Sequence, residues 1–215
     1  MAIHDALGST GSNEVVSIPG RAGRRAVLLR MRSPAGLNYH ELYLVKDRDG
    51  LNHVDDLLDY GTGSTLVGRM TLELLAIADR SGSVQPENAA AGGKEKYEVA
   101  RRLMDLNDVG KTSPEEIEEA ILSWPTELQD TQLAATARLQ SVWKMDVGRQ
   151  WASLAHYRSK CGEDIASYLY EFNMCRDQNQ IFEAVPAAMF LDRNFPGDPE
   201  VNEILKFSSQ ILRRY

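Results

Sequence analysis

Histidines and carboxylates that could do chemistry lie on two predicted β-strands, one on each side of Asp49-Gly50. An Asp-Gly pair between strands is typical of a two-residue hairpin turn. That turn places His40 opposite Asp59, a pair that could exchange a proton. The same register separates His40 from His53 by about 20 Å, at about 3.3 Å per residue, so the two imidazoles cannot share a metal ion. The pattern therefore favours solvated polar side chains over a metal or acid–base site.

A second candidate for chemistry is the stretch Gly61-Thr62-Gly63-Ser64, which could be a phosphate-binding loop. It lacks the Lys-Ser/Thr pair of a nucleotide-binding loop and the third glycine of a dinucleotide-binding motif. Aspartates precede it and would repel a phosphate. We expect a turn in which Ser64 caps a following helix.

The rest of the chain contains no HExxH, GxSxG or Cys–His motif. Its two cysteines, Cys161 and Cys175, are not spaced as a CxxC pair. They are interpreted as reduced thiols of a cytoplasmic protein. From these motifs we expect no catalytic residue, no metal and no cofactor, and therefore a protein that is not an enzyme.

The composition of the chain argues against some classes of binding partner. The chain has 215 residues, 43% of them hydrophobic, and a formal net charge of -7. A surplus of carboxylates argues against binding nucleic acid or anionic membranes, both of which attract Lys and Arg. No apolar run approaches the roughly 20 residues that cross a bilayer, and the first 13 residues do not have the apolar run of a signal peptide.

The amino-terminal part predicts a small antiparallel sheet and one helix. The expected strands are 14–18, 26–31, 38–46 and 51–58. The expected helix runs from Ser64 to about residue 78, with Leu66, Met70, Leu74 and Ile77 on the side that lies against the sheet. The two-residue turn puts His53 opposite Lys46, and places these residues together on the better core face: Tyr39, Tyr43, Val45, Val54, Leu58 and Tyr60.

The carboxy-terminal part predicts helices only. Ser, Gly, Pro and Ala fill 80–93, which is expected to be a linker between a sheet domain at 1–79 and a helical domain at 94–215. In the helical domain, two helical hairpins close at Gly162 and Pro196, 34 residues apart. Trp151 and Phe172 lie on the apolar faces of these hairpins and are expected to pack within one continuous core. A last helix is expected at about 199–212. The fold class is therefore α+β.

Four residues of the second hairpin carry a family resemblance. Ala184, Ala188, Leu191 and Pro196 lie at the offsets of the signature in tetratricopeptide repeats, although only Ala184 and Pro196 match it by residue type. The region 128–196 thus resembles tetratricopeptide-type proteins. The first repeat departs further from the signature, and Pro186 lies inside an expected helix.

The resemblance implies a right-handed stack of hairpins whose concave groove binds a peptide. By position, the groove candidates are Arg138, Asn173 and Arg176. The leading interpretation is a non-catalytic protein–protein interaction module, a helical-repeat scaffold for a peptide or partner protein.

The sheet region carries its own resemblance, on Leu37-Asn38-Tyr39-His40-Glu41, Asp49-Gly50, Val54-Asp55-Asp56 and Tyr60. It is similar to part of the cone-shaped nuclear-transport-factor-like fold, in uncharacterised bacterial proteins with a sheet followed by helical repeats. This resemblance implies an alternative function: a small-molecule-binding or hydrolytic domain. Its pocket would lie near Tyr39, His40, Tyr43 and Asp59. A cavity in the sheet would favour the pocket, whereas a sheet filled by side chains would favour protein binding.

Overall fold

A computed structural model describes residues 12–17, 25–33, 36–71, 74, 93–108 and 113–213. The strands are β1 (Ser12–Ser17), β2 (Arg25–Ser33), β3 (Gly36–Lys46), β4 (Asn52–Asp59) and β5 (Ser64–Thr65). They form one antiparallel sheet in the order of the chain. With the helices that follow, the sheet confirms the α+β class.

Most of the remaining described chain is helical. The helices are α1 (Gly93–Asp108), α2 (Pro114–Leu122), α3 (Thr126–Gln129), α4 (Gln132–Ser141), α5 (Val147–Cys161), α6 (Ile165–Asp177), α7 (Val185–Asn194) and α8 (Pro199–Leu212), with a 3-10 turn at Val142–Lys144. Within the described ranges, no helix is long and apolar enough to cross a membrane.

The chain divides into two compact units that differ from the expected domains. The first unit combines Met1–Leu66 with Ile165–Tyr215, and the second is Val67–Asp164. The predicted division at 79 and 94 places every helix after the linker in one domain, whereas α6, α7 and α8 belong to the same unit as the sheet. Most of the expected linker, 80–92, lies outside the described residues.

The turn between β3 and β4 is longer than expected. β3 ends at Lys46 and β4 begins at Asn52. The Asp47 amide donates to the Leu51 carbonyl at 3.0 Å, and Gly50 has a φ of 81°. These features describe a three-residue loop with glycine in the left-handed region, so the two-residue turn was wrong.

A β-bulge corrects the predicted register of this hairpin. His40 pairs with Asp59, as predicted, and Tyr43 pairs with Asp56. The ladder then shifts by one residue at Asp55, so that Val45 pairs with His53 rather than with Val54. Lys46 accordingly pairs with Asn52 and not, as predicted, with His53. Because one extra residue reverses the face of each side chain beyond it, Val54 does not share a face with Val45.

The predicted helix after Ser64 also needs correction. Ser64 pairs with Asp59 as part of β5, and the helical residues begin at 66. Leu66, Met70 and Leu74 are 48%, 50% and 60% exposed, so these three side chains are not buried as expected. Ile77 lies outside the described residues.

The second unit has a core built from α1 to α4. Val99, Ile121, Trp124 and Ala134 are buried in one cluster. The helix α2 begins as the sequence predicts: the Ser113 hydroxyl accepts a hydrogen bond from the Glu116 amide at 3.2 Å, and proline follows at the first helical position. The hairpin of α4 and α5 follows, with Trp151 half-buried.

In the first unit, α6 packs on α7, and α7 packs on α8. The last helix, Pro199–Leu212, has the predicted bounds. Phe172 is fully buried in this unit, whereas Trp151 belongs to the other unit. The buried face of the sheet lies against these helices: Ala26 and Leu28 of β2 and Leu37 of β3 are all less than a tenth exposed.

Gly36 tests the contact between β3 and α6. Its φ is +113°, and a Cβ there would lie 2.6 Å from Cγ of Asn173. We expect Gly36→Ala to lower the free energy of unfolding by about 2–4 kcal/mol, from backbone strain and overpacking. Gly50→Ala is the matched control: its φ is +81° but its Cβ would meet nothing within 4 Å. It should cost only about 1–2 kcal/mol. Urea denaturation followed by circular dichroism measures both, and equal losses would contradict the close approach of α6.

Candidate functional site

A group of hydrogen-bonded polar side chains in the first unit lies where β2 and β3 meet the start of α8. We call Arg30, Tyr39, Asp198 and Glu200 the Asp198 cluster. Arg30 and Tyr39 are partners in the β2–β3 ladder, so their side chains stand together on one face of the sheet. Asp198 is the residue before Pro199, where α8 begins.

The carboxylate of Asp198 is only 1% exposed and receives four hydrogen bonds. Its Oδ2 accepts from Nε of Arg30 at 2.6 Å and from the hydroxyl of Tyr39 at 2.7 Å. Its Oδ1 accepts from the backbone amides of Glu200 at 2.9 Å and Val201 at 3.1 Å. The same carboxylate therefore caps α8 and joins it to two strands.

Glu200 extends the cluster towards the surface. Its carboxylate lies 2.8 Å from Nη2 of Arg30, 3.1 Å from Nε of Arg32 and 2.8 Å from Nη1 of Arg176. A carboxylate in the first turn of a helix is also favoured by the helix dipole. Glu200 thus lies among three guanidinium groups, which compensate its charge.

Aromatic rings cover the cluster. The ring of Tyr39 stacks on Phe195 with centroids 3.9 Å apart, and Tyr60 meets Phe195 edge-on at 5.3 Å. The Tyr60 hydroxyl donates to the buried carboxylate of Glu41 at 2.6 Å. Burial and the neighbouring carboxylate of Asp198 raise the pKa of Tyr39 well above its usual value. Its phenol stays protonated and acts as a hydrogen-bond donor.

The cluster is arranged to hold elements together. Its charged groups are buried or half-buried, and each is satisfied by another group of the same chain. A phenol with a raised pKa is a poor nucleophile, and Arg30 has no acceptor capacity. The geometry is that of a structural ion-pair network.

The His40–Asp59 pair lies on the other face of β3. Nε2 of His40 is 3.6 Å from Oδ1 of Asp59, beyond hydrogen-bond distance. That oxygen accepts from Nδ2 of Asn38 at 2.8 Å and from the Gly61 amide at 2.9 Å. Burial lowers the pKa of His40, and Asp59 partly offsets the effect. Asp59 is therefore held by Asn38 rather than by the histidine.

The expected pocket is not assembled. Successive residues of a strand point to opposite faces, so Tyr39 and Tyr43 lie on one side of β3 and His40 on the other. Asp59 pairs with His40 and shares its side. Tyr39 itself is fully buried beneath Phe195. The four residues cannot line one cavity.

The three groove candidates occupy different environments. Asn173 is 5% exposed. Its side-chain oxygen accepts a hydrogen bond from the Leu37 backbone amide, and its Nδ2 donates one to the Leu37 carbonyl, each at 2.7 Å. It is a clamp on β3 and is not free to bind a peptide. Arg176 is engaged by Glu200, and Arg138 lies 3.4 Å from the buried Glu118 in the second unit.

Sequence reasoning missed Arg30, Asp198 and Glu200. One signal was present for Asp198, because Asp before Pro at the start of a helix is typical of an N-cap. A signal for Arg30 was its place on the same face of β2 as the apolar Ala26 and Leu28. Neither pattern names the partner.

No family model, curated protein or solved structure matches the chain. The resemblances to tetratricopeptide repeats and to the cone-shaped fold therefore stay predictions. In the part of the chain that the structure describes, no group of three or more His, Cys, Asp or Glu side chains could hold a metal ion.

Replacing Asp198 tests the cluster. Asp198→Ala removes the cap and leaves Arg30 with a buried, poorly compensated charge, so we expect a loss of about 3–5 kcal/mol. Ser113→Ala removes only a cap, in the second unit, and should cost about 1 kcal/mol. Hydrogen exchange of peptides from β2 and β3 measures the stability of the first unit. Fluorescence emission from the tryptophans measures unfolding of the second unit, which contains Trp124, Trp143 and Trp151. If both variants cost the same, Asp198 acts only as a cap.

His40 should make stability depend on pH. Because folding lowers its pKa from 6.5, the unfolded chain binds more protons as the solution becomes acidic. The contribution is fully present above pH 6.5 and is lost as pH falls towards the folded pKa. We expect His40→Gln to lose less stability than the parent between about pH 7.5 and about pH 5. Urea denaturation at the two pH values measures the loss of stability of each protein. Equal losses in the parent and in the His40→Gln variant would contradict the prediction.

Proposed function

We propose that this chain is a non-catalytic scaffold that binds another protein. The observation that supports the proposal is the filled inner face of the sheet. Phe195 covers Tyr39, Asn173 clamps Leu37, and Asp198 occupies the space beside Arg30. The surface that would hold a small molecule in the alternative interpretation is occupied by the chain's own α6–α8 region.

The charges of the first unit support the same proposal. A substrate-binding cluster keeps polar groups available to its ligand. Here Arg30 and Arg176 are bound by carboxylates of the same unit, and the Tyr39 hydroxyl is bound by Asp198. A ligand would have to displace short, buried hydrogen bonds before reaching any of them.

The surface proposed for binding is the end of the β3–β4 hairpin, residues 44–55, which we call the hairpin tip. Val45, Leu51 and Val54 are 45%, 63% and 57% exposed there. The bulge at Asp55 puts Val45 and Val54 on opposite faces, so apolar groups are exposed on both sides. Exposed apolar side chains at the end of a hairpin are available for contact with another protein.

Site-specific photocrosslinking tests the function. A benzophenone amino acid replaces Leu51 at the hairpin tip, and in a control variant it replaces Met189, which is 47% exposed on α7 of the same unit. Irradiation of source cells that produce the full chain should yield a discrete protein adduct from the Leu51 position and none from the Met189 position. Absence of adducts from both positions would contradict the protein-binding function. Adducts from Met189 alone would contradict the hairpin tip as the binding surface.

A further inference from the structure

The outer edge of β4 has features of a strand-binding site. On one side β4 pairs with β3 along its length. On the other side, the only partner in the described ranges is β5, which reaches only Leu58 and Asp59. Asn52–Asp55 are exposed throughout. The edge of a sheet presents backbone N–H and C=O groups that can pair with another strand.

Apolar side chains flank this edge where an added strand would lie. Leu51 and Val54 are the most exposed large apolar residues of the hairpin tip. When an extended peptide joins a sheet, main-chain hydrogen bonds provide affinity and alternate side chains provide selectivity. Farther along, Asp56 already accepts the Leu57 amide at 2.8 Å, so the open part of the edge is short.

Charge identifies the chemistry of the occupant. Residues 46–59 contain five aspartates against one lysine and one arginine. Exposed Asp49 and Asp55 lie at the turn and beside the open edge. Cross-strand pairs of opposite charge stabilise a ladder, and like charges destabilise it. A strand that joins this edge is therefore favoured if it carries lysine or arginine.

The same charges disfavour a second copy of the chain as the occupant. Antiparallel pairing of two β4 edges about their middle would place two copies of Asp55 and of Asp56 in one short ladder. Four carboxylates would then lie close together with few cations to compensate them. Acidic side chains on an edge are a common means of preventing self-association.

We propose that the edge of β4 at Asn52–Asp55 binds an extended, basic peptide segment of a partner protein as an added strand. This rests on the proposed protein-binding function and names the partner's chemistry. Backbone groups of β4 pair with the segment, Val54 and Leu51 contact its apolar side chains, and Asp55 pairs with its lysines or arginines.

Fluorescence anisotropy with the full chain tests this with three labelled octapeptides. The first alternates lysine with valine, the second alternates glutamate with valine, and the third is the lysine peptide with alternate backbone amides methylated. The lysine peptide should bind about tenfold more tightly than either of the others, since one loses the charge match and the other the ladder. Equal binding of the lysine peptide and its methylated form would overturn strand addition, as would no binding of the lysine peptide.

Variants of the chain test where on the protein the peptide binds. Asp55→Lys should weaken binding of the lysine peptide by about three- to fivefold, because exposed ion pairs contribute modestly to affinity. Asp55→Asn should weaken it by less. Glu203→Lys, at an exposed position of α8 in the same unit, is the charge-matched control and should bind like the parent. An equal effect of Asp55→Lys and Glu203→Lys would overturn the β4 edge as the site.

The outcome is separable from that of the proposed function. A protein adduct at Leu51 combined with no binding of the lysine peptide would overturn the basic-strand inference and leave the scaffold function standing. Absence of adducts at both crosslinking positions would instead count against the scaffold itself.

Discussion

The first unit depends on one buried carboxylate. A charge removed from water is costly unless other groups replace the lost hydration. Asp198 meets this requirement with two side-chain donors from the sheet and two backbone donors from its own helix. Since the four donors come from β2, β3 and α8, the carboxylate can be satisfied only when all three elements are in place. Satisfying it therefore fixes where the last helix begins relative to the sheet.

This arrangement joins the two ends of the chain. Arg30 and Asp198 are 168 positions apart, and Leu37 and Asn173 are 136 apart. The second unit, Val67–Asp164, lies between them in the sequence. Contacts of such long separation require a large loop to close before they contribute, which slows folding. The sheet cannot complete its buried face until α6 and α8 have been synthesised.

Local features of the fold were predictable from the sequence. The bounds of α8, the cap at Ser113 and the pairing of His40 with Asp59 all follow from patterns within a few residues or across one hairpin. The bulge at Asp55 was not predictable, because the hydrophobic pattern of β4 is compatible with either register. Local patterns also did not predict the partners of Asn173 and Asp198. A polar residue on a helix is expected to face solvent unless the element that packs against it is known.

The burial of Asn173 and Asp198 changes how the sheet can be used. An antiparallel sheet offers two faces and two edges to its surroundings. Here one face is covered by Asn173 of α6, Asp198 at the start of α8, and Phe195 between α7 and α8. Opening that face would expose Arg30 and Asp198 without their partners, at a cost of several kcal/mol in an interior of low polarity. The edge of β4 requires no such loss, because its exposed residues are already hydrated and its backbone geometry is already extended. A partner that adds there gains hydrogen bonds while leaving the Asp198 cluster intact.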